Sequence, residues 1–98
     1  MRVLSRKTLR QFWEQPGHQD AQQPLKAWFR EALAKWTSPT QIKAAYRSAS
    51  IVANSRVVFN IAGNKYRLVV RVNYAYGIVY IRFIGTHREN DEIDVTDV

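Results

Sequence analysis

The hydrophobic period of the chain changes near residue 50. Before that point apolar side chains recur at helical spacing, and after it they alternate. Leu9, Phe12 and Trp13 fall at i, i+3, i+4 and give a first helix one apolar face. Ser5 can cap that helix at Arg6, and Pro16-Gly17 ends it. Leu25, Trp28, Phe29, Ala32, Leu33 and Trp36 continue the pattern over three turns of a second helix. Asp20 or Gln23 can cap it, and Pro24 suits its first turn. Ser38-Pro39-Thr40-Gln41 then supplies a cap, a proline at the first helical position and a capping-box glutamine. A short third helix with Ile42, Ala45 and Tyr46 follows. Met1–Leu4 reads as a short first strand. At this spacing the three tryptophans belong to a core rather than to base-stacking platforms.

Beyond Ser48-Ala49-Ser50 the period is two. Residues 56–61 and 65–73 are rich in β-formers and flank Gly63-Asn64, a two-residue hairpin signal. Residues 78–84 form a third strand after the turn Tyr74-Ala75-Tyr76-Gly77. The order β-α-α-(α)-β-β-β predicts one α+β domain over residues 1–98, with helices covering one face of a small antiparallel sheet.

The hairpin fixes a register. With Gly63-Asn64 central, Ile61 pairs with Tyr66, Asn60 with Arg67, Phe59 with Leu68, Val58 with Val69, Val57 with Val70 and Arg56 with Arg71. One face then carries Val57, Phe59, Ile61, Tyr66, Leu68 and Val70, and the other Arg56, Asn60, Lys65, Arg67 and Arg71. With Val72 opposite Val79, the third strand adds Val79, Ile81 and Phe83 to the apolar face and Tyr80, Arg82 and Ile84 to the basic one.

Charge sharpens this picture. The 98 residues hold 15 Lys+Arg against 8 Asp+Glu, a net of +7, and the sequence pI is about 10.2. Residues 51–88 hold six basic and no acidic side chains, and residues 89–98 hold five acidic and no basic ones. A pI above about 9 is the electrostatic footprint of a nucleic-acid binder. Arg56 opposite Arg71 is unfavourable without an anion between them. Arginine suits bidentate phosphate contact, and Tyr80 offers a ring on which a base can stack. The plain alternative is a solvated sheet face, against which the lack of any acid on these strands argues. The acidic tail is either frayed or folded back against the basic sheet.

Composition excludes other chemistries. Hydrophobic residues make up 46% of the chain, enough for a core. No apolar run reaches the roughly 18 residues of a membrane span, and Met1–Lys7 lacks the apolar segment of a secretory leader. Cysteine is absent, which removes disulfides, a thiol nucleophile and cysteine metal sites. No GxSxG, P-loop, GxGxxG or HExxH motif occurs. His18 follows a Pro-Gly turn and reads as a surface residue. His87 follows the last strand and can act as a general acid or base near neutral pH. His87, Glu89 and Asp91 are a weak metal-ligand pattern, and no metal is expected.

Two segments carry a resemblance. Residues 58–69, Val-Phe-Asn-Ile-Ala-Gly-Asn-Lys-Tyr-Arg-Leu-Val, resemble the hairpin of HigB-type toxins of bacterial type II toxin–antitoxin modules. Residues 80–91, Tyr-Ile-Arg-Phe-Ile-Gly-Thr-His-Arg-Glu-Asn-Asp, resemble that family's C-terminal motif, roughly Y-I-R-x-x-x-T-H-x-E-Y-D. The resemblance implies a RelE-like fold and a cytoplasmic, ribosome-dependent mRNA interferase that cuts mRNA without metal or cofactor. It implies a HigA-type helix-turn-helix antitoxin as partner, with operator DNA reached only through that antitoxin, and no membrane. By position in the motifs it implies Arg67 and Arg82 for phosphate and transition-state stabilisation and His87 for acid–base work. Arg56, Lys65 and Arg71 are supporting RNA contacts on the register argument, with Asn60 and Tyr80 beside them. Asn60 and Asn64 fit turn chemistry as well as substrate contact. The general base is open among Lys65, His87 and a group on the ribosome. Asn90 stands where the family has Tyr, so the chain is either an attenuated toxin or one for which that Tyr is dispensable. The alternative to an enzyme is a non-catalytic RNA-, DNA- or antitoxin-binding module on the same basic face.

Overall fold

Local capping and turn chemistry set most element boundaries. The computed structural model describes residues 1–34 and 36–98. In chain order the elements are β1 (Arg2–Leu4), α1 (Arg6–Trp13), a 3-10 turn (Gln19–Ala21), α2 (Gln22–Ala32), α3 (Pro39–Ala45), β2 (Ser50–Val52), β3 (Arg56–Ile61), β4 (Tyr66–Asn73), β5 (Ile78–Thr86) and α4 (His87–Asp91). At α3 the Ser38 hydroxyl accepts from the Gln41 N–H at 3.3 Å. The Gln41 side chain reaches back one residue further than a standard capping box, accepting from the Thr37 N–H at 2.7 Å. Ser5 occupies the cap position of α1, with extended backbone, but its side chain makes no cap bond.

The strands form one sheet in the order β1-β5-β4-β3-β2. Strands β2 to β5 are antiparallel neighbours, whereas β1 runs parallel to β5. The sheet is therefore mixed rather than antiparallel throughout. The helices also do not simply precede it, because β1 comes before α1 and α4 follows β5. A three-residue β1 cannot show its partner in the sequence, since pairing direction depends on the path of the intervening chain. Strand β2 was not expected. It joins β3 through Asn54 and Ser55, both with φ +62, a left-handed pair without the usual glycine signal.

The β3–β4 register agrees pair for pair with the hairpin reading, from Ile61 opposite Tyr66 to Arg56 opposite Arg71. The Lys65 N–H donates to Ala62 O at 3.3 Å and closes the turn around Gly63-Asn64. Strand β5 departs from simple alternation. Val79 faces Val72 and Ile81 faces Val70, but Phe83 faces Val69, so Arg82 is an extra residue in a bulge. The bulge exchanges two side chains relative to the expectation. Ile84 packs against the helix-side core, and Phe83 joins the opposite face.

The core lies between the helices and one sheet face. Leu9, Phe12, Leu25, Trp28 and Ile42 meet Val57, Phe59, Leu68, Val70 and Val79 there. Phe59 is its aromatic centre. Trp28 lies edge-on at 5.5 Å, Trp36 stacks at 5.8 Å and Tyr46 lies edge-on at 5.0 Å. The tryptophans are thus core residues. Helix α2 ends at Ala32, before Trp36; Trp36 is still buried because its ring turns onto Phe59. Leu33, which the helical pattern placed on the core face, is half exposed. Burying each such ring contributes roughly 2–3 kcal/mol, which fixes the sheet face that must turn inward.

Candidate functional site

The face of the sheet away from the helices is built in rows by the observed register. One row is Arg56, Arg71 and Tyr80 across β3, β4 and β5; the next is Val58, Val69 and Phe83; the third is Asn60, Arg67 and Gly85. A polar row thus lies on either side of an apolar one. The bulge residue Arg82 projects beside Phe83 and is exposed. The Phe83 ring lies over Gly85, where an added Cβ would sit 2.6 Å from Phe83 Cζ. Phe83 was not expected on this face, and no signal in the strand pattern marks the bulge that puts it there.

The arginines are held differently from one another. Arg56 is almost buried, its Nη1 donating to Asn54 O at 2.8 Å and its Nη2 to the Val98 main-chain oxygen at 2.6 Å. Arg82 Nε donates to the same Val98 oxygen at 3.3 Å. Arg67 is also nearly buried and folds onto the hairpin turn, with Nη1 donating to Asn64 O at 3.2 Å and Nη2 to Asn64 Oδ1 at 2.9 Å. Arg71 is exposed. Asn60 donates to Ser48 O at 3.2 Å and so ties the end of the α3–β2 connection to β3. Tyr80 is half-buried beside Arg71.

Lys65 is not on this face. It turns to the helix side, where Nζ meets Asp20 Oδ2 at 2.5 Å. The Tyr66 hydroxyl donates to the other Asp20 oxygen, Oδ1, at 2.5 Å. The Lys65 and Tyr66 hydrogen bonds hold the Asp20 carboxyl below the usual range. The Asp20 bond raises the Lys65 ammonium. Burial, and then Asp20, raise the Tyr66 hydroxyl. Lys65 departs from the alternation expected of it because it belongs to the turn before β4, where side-chain direction no longer follows strand parity.

His87 opens helix α4, at the end of β5 next to the hairpin turn. Its N–H donates to Lys65 O at 3.3 Å, and its Nδ1 lies 3.3 Å from Asp91 Oδ2 one helical turn on. The helix was missed although its signature is in the sequence. Thr86 and Glu89 form a reciprocal capping box, with the Glu89 N–H donating to Thr86 Oγ1 at 3.2 Å and the Thr86 N–H to Glu89 Oε1 at 2.9 Å. Those bonds hold the Glu89 carboxyl below its ordinary value. Glu89 is therefore spent on the cap. Among the described residues no three His, Cys, Asp or Glu side chains converge as a metal-binding group. Asn90 Oδ1 is buried without a hydrogen-bond partner. His18 is half-buried rather than at the surface, stacked on Phe12 at 4.2 Å.

A sheet face lined by guanidinium groups, whose strands contribute no carboxylate, is suited to a phosphate-bearing ligand. The fold and this face define a small basic α+β protein. The HigB toxin family, the RelE-like toxic component of a toxin–antitoxin system, matches residues 21–93, and the chain belongs to that family. It is thus the toxin of a toxin–antitoxin system, with an antitoxin as its partner. No curated protein matches the chain. Among the described residues no helix is long and apolar enough to cross a membrane.

Proposed function

We propose that this toxin is an endoribonuclease of the mRNA-interferase kind, acting on mRNA at the ribosome in the cytoplasm. The observation that carries the reading is that Arg67 and Arg71 of β4 and Arg82 of the neighbouring β5 share the face away from the helices, with His87 at the end of β5. In this reading the 2′-oxygen of a nucleotide attacks the adjacent phosphorus. The 2′-O–P bond forms, the 5′-O–P bond breaks, and a 2′,3′-cyclic phosphate and a 5′-hydroxyl remain. No metal takes part. Arg82, exposed by the bulge, and Arg71 supply cationic donors to the phosphorane. Arg67, clasped by Asn64, gives fixed positive charge at the end of the face nearest His87.

His87 is the proton donor to the departing 5′-oxygen, with Asp91 orienting its ring through Nδ1. Lys65 does not suit the role of general base, because Asp20 keeps it protonated. The base for the 2′-hydroxyl then comes from the ribosome, which accounts for a requirement for it. The partner antitoxin is of the helix-turn-helix HigA type, and operator DNA is reached only through it. Asn90 lowers the activity, since an amide with a buried, unpartnered oxygen neither stacks on a base nor moves a proton as a tyrosine can.

Primer extension on a reporter mRNA after pulse induction tests this. The expected result is cleavage within translated regions that disappears with His87→Ala and strengthens with Asn90→Tyr. Cleavage that persists in His87→Ala removes His87 from the chemistry. No cleavage from the chain or from Asn90→Tyr replaces the enzyme with a non-catalytic binding module on the same face.

A further inference from the structure

The acidic tail folds back onto the arginine face. Beyond α4 the chain turns at Asp94, whose Oδ1 accepts from the Thr96 hydroxyl at 2.6 Å and from the Thr96 N–H at 3.0 Å. The Val98 N–H returns to Asp94 O at 3.2 Å. Three side chains then fasten this turn to the sheet. Asn54 Nδ2 donates to Thr96 O at 3.1 Å, and Arg56 and Arg82 both donate to the Val98 oxygen. The two arginines come from β3 and β5, so the tail reaches across β4 between them.

Two further observations agree. Val69 is fully buried and Val58 nearly so, although both sit on the face away from the helices. Ile93, Val95 and Val98 of the tail are half-buried. The tail's contacts with the sheet are made by the main-chain oxygens of Thr96 and Val98, in a segment rich in acid next to strands that carry none. An oxygen accepting from two guanidinium groups, set in a run of carboxylates, makes the contacts that an RNA phosphate would make.

We infer that residues 94–98 are a built-in competitor for RNA: they occupy the Arg56–Arg82 end of the face and must swing away before a phosphate can bind there. This rests on the RNA-binding reading proposed above. The consequence is quantitative. When only a fraction of molecules has the tail displaced, the apparent affinity falls by that fraction. Helix α4 can stay in place, because its first turn is held by its own capping box and the tail leaves from beyond its last turn.

The test uses the full chain and a short fluorescent single-stranded RNA, read by anisotropy at fixed salt. The chain has no cysteine, so in the double variant Asn54→Cys/Thr96→Cys the one disulfide that can form, its formation checked by loss of free thiol, joins the tail to the β2–β3 turn. The oxidised form is expected to bind RNA about tenfold more weakly than the reduced form, with full recovery on adding reductant. A second variant needs no cross-link. Asn54→Gly removes the amide that holds Thr96 while keeping the positive φ, and is expected to bind several-fold more tightly than wild type. Arg71→Ala, which lies outside the tail contact, reads the face itself. If wild type binds and Arg71→Ala weakens it, but locking the tail and Asn54→Gly change nothing, the tail inference fails and the RNA reading stands. If wild type and Asn54→Gly both fail to bind RNA, both fail.

Discussion

Arg56 and Arg71 stand directly opposite each other across β3 and β4, yet only Arg71 faces solvent. A cross-strand pair of like charges is destabilising when both heads share the same space. Here Arg56 bends away and gives its donors to Asn54 O and to the Val98 oxygen. An internal acceptor thus takes the place of the external anion that the pair otherwise calls for. The two residues consequently have different work to do.

Their substitutions should separate stability from binding. Arg56→Ala removes a nearly buried, hydrogen-bonded guanidinium and is expected to cost about 1–3 kcal/mol in urea unfolding. Arg71→Ala is expected to stay within about 0.5 kcal/mol of wild type. It should instead weaken RNA binding and lower the salt slope by about one. Equal destabilisation by both would mean that the Arg56 bonds contribute nothing net.

Gly85 is a packing requirement rather than a turn. A Cβ there meets Phe83 Cζ at 2.6 Å and Glu89 Oε1 at 3.1 Å. Gly85→Ala is therefore expected to lower stability by about 1–3 kcal/mol, and to disturb both the Phe83 ring and the cap of α4. Phe83→Leu in the same chain should recover part of the loss, because the shorter side chain vacates the contact. Thermal unfolding of the single and double variants checks this, and strict additivity would exclude the clash.

The Asp20–Lys65–Tyr66 cluster should show in the pH dependence of stability. Asp20 is lowered in the folded state, so its contribution is complete above the unfolded carboxylate value and is lost as pH falls through the lower folded one. Lys65 and Tyr66 are raised, so their contributions are complete below their unfolded values and are lost as pH rises through the folded ones. The difference in Tm between wild type and Asp20→Asn should be flat around neutrality, shrink in acid and shrink again in strong alkali. A difference independent of pH would mean that the ion pair does not act in solution.

Much of this arrangement is written in local sequence. Period and capping residues placed helices α1 and α3 and the hairpin turn. The hairpin in turn set the β3–β4 register, because a slip of one residue would bring the core-facing side chains Val57, Phe59 and Ile61 of β3 to the outer face. Arg56, Asn60, Arg67 and Arg71 were found on one face by that argument alone. Helix α4 is equally legible, since Thr86 and Glu89 are a capping box in plain sequence, although at five residues it is too short to show a helical period.

Other features needed the folded chain. The parallel partner of β1, the end of α2 at Ala32 and the seat of Trp36 on Phe59 depend on contacts between distant segments. The bulge at Arg82 shifts Phe83 and Ile84 to opposite faces, and no residue in β5 announces it. Lys65 leaves the basic face for Asp20, a residue 45 positions away in the chain, because an ion pair close at hand outweighs strand parity in a turn. That a basic, acid-free face exists, and that an acidic tail follows it, can be read from the order of residues alone. That the two meet cannot, because only folding brings Asn54, Arg56 and Arg82 within hydrogen-bonding distance of Thr96 and Val98.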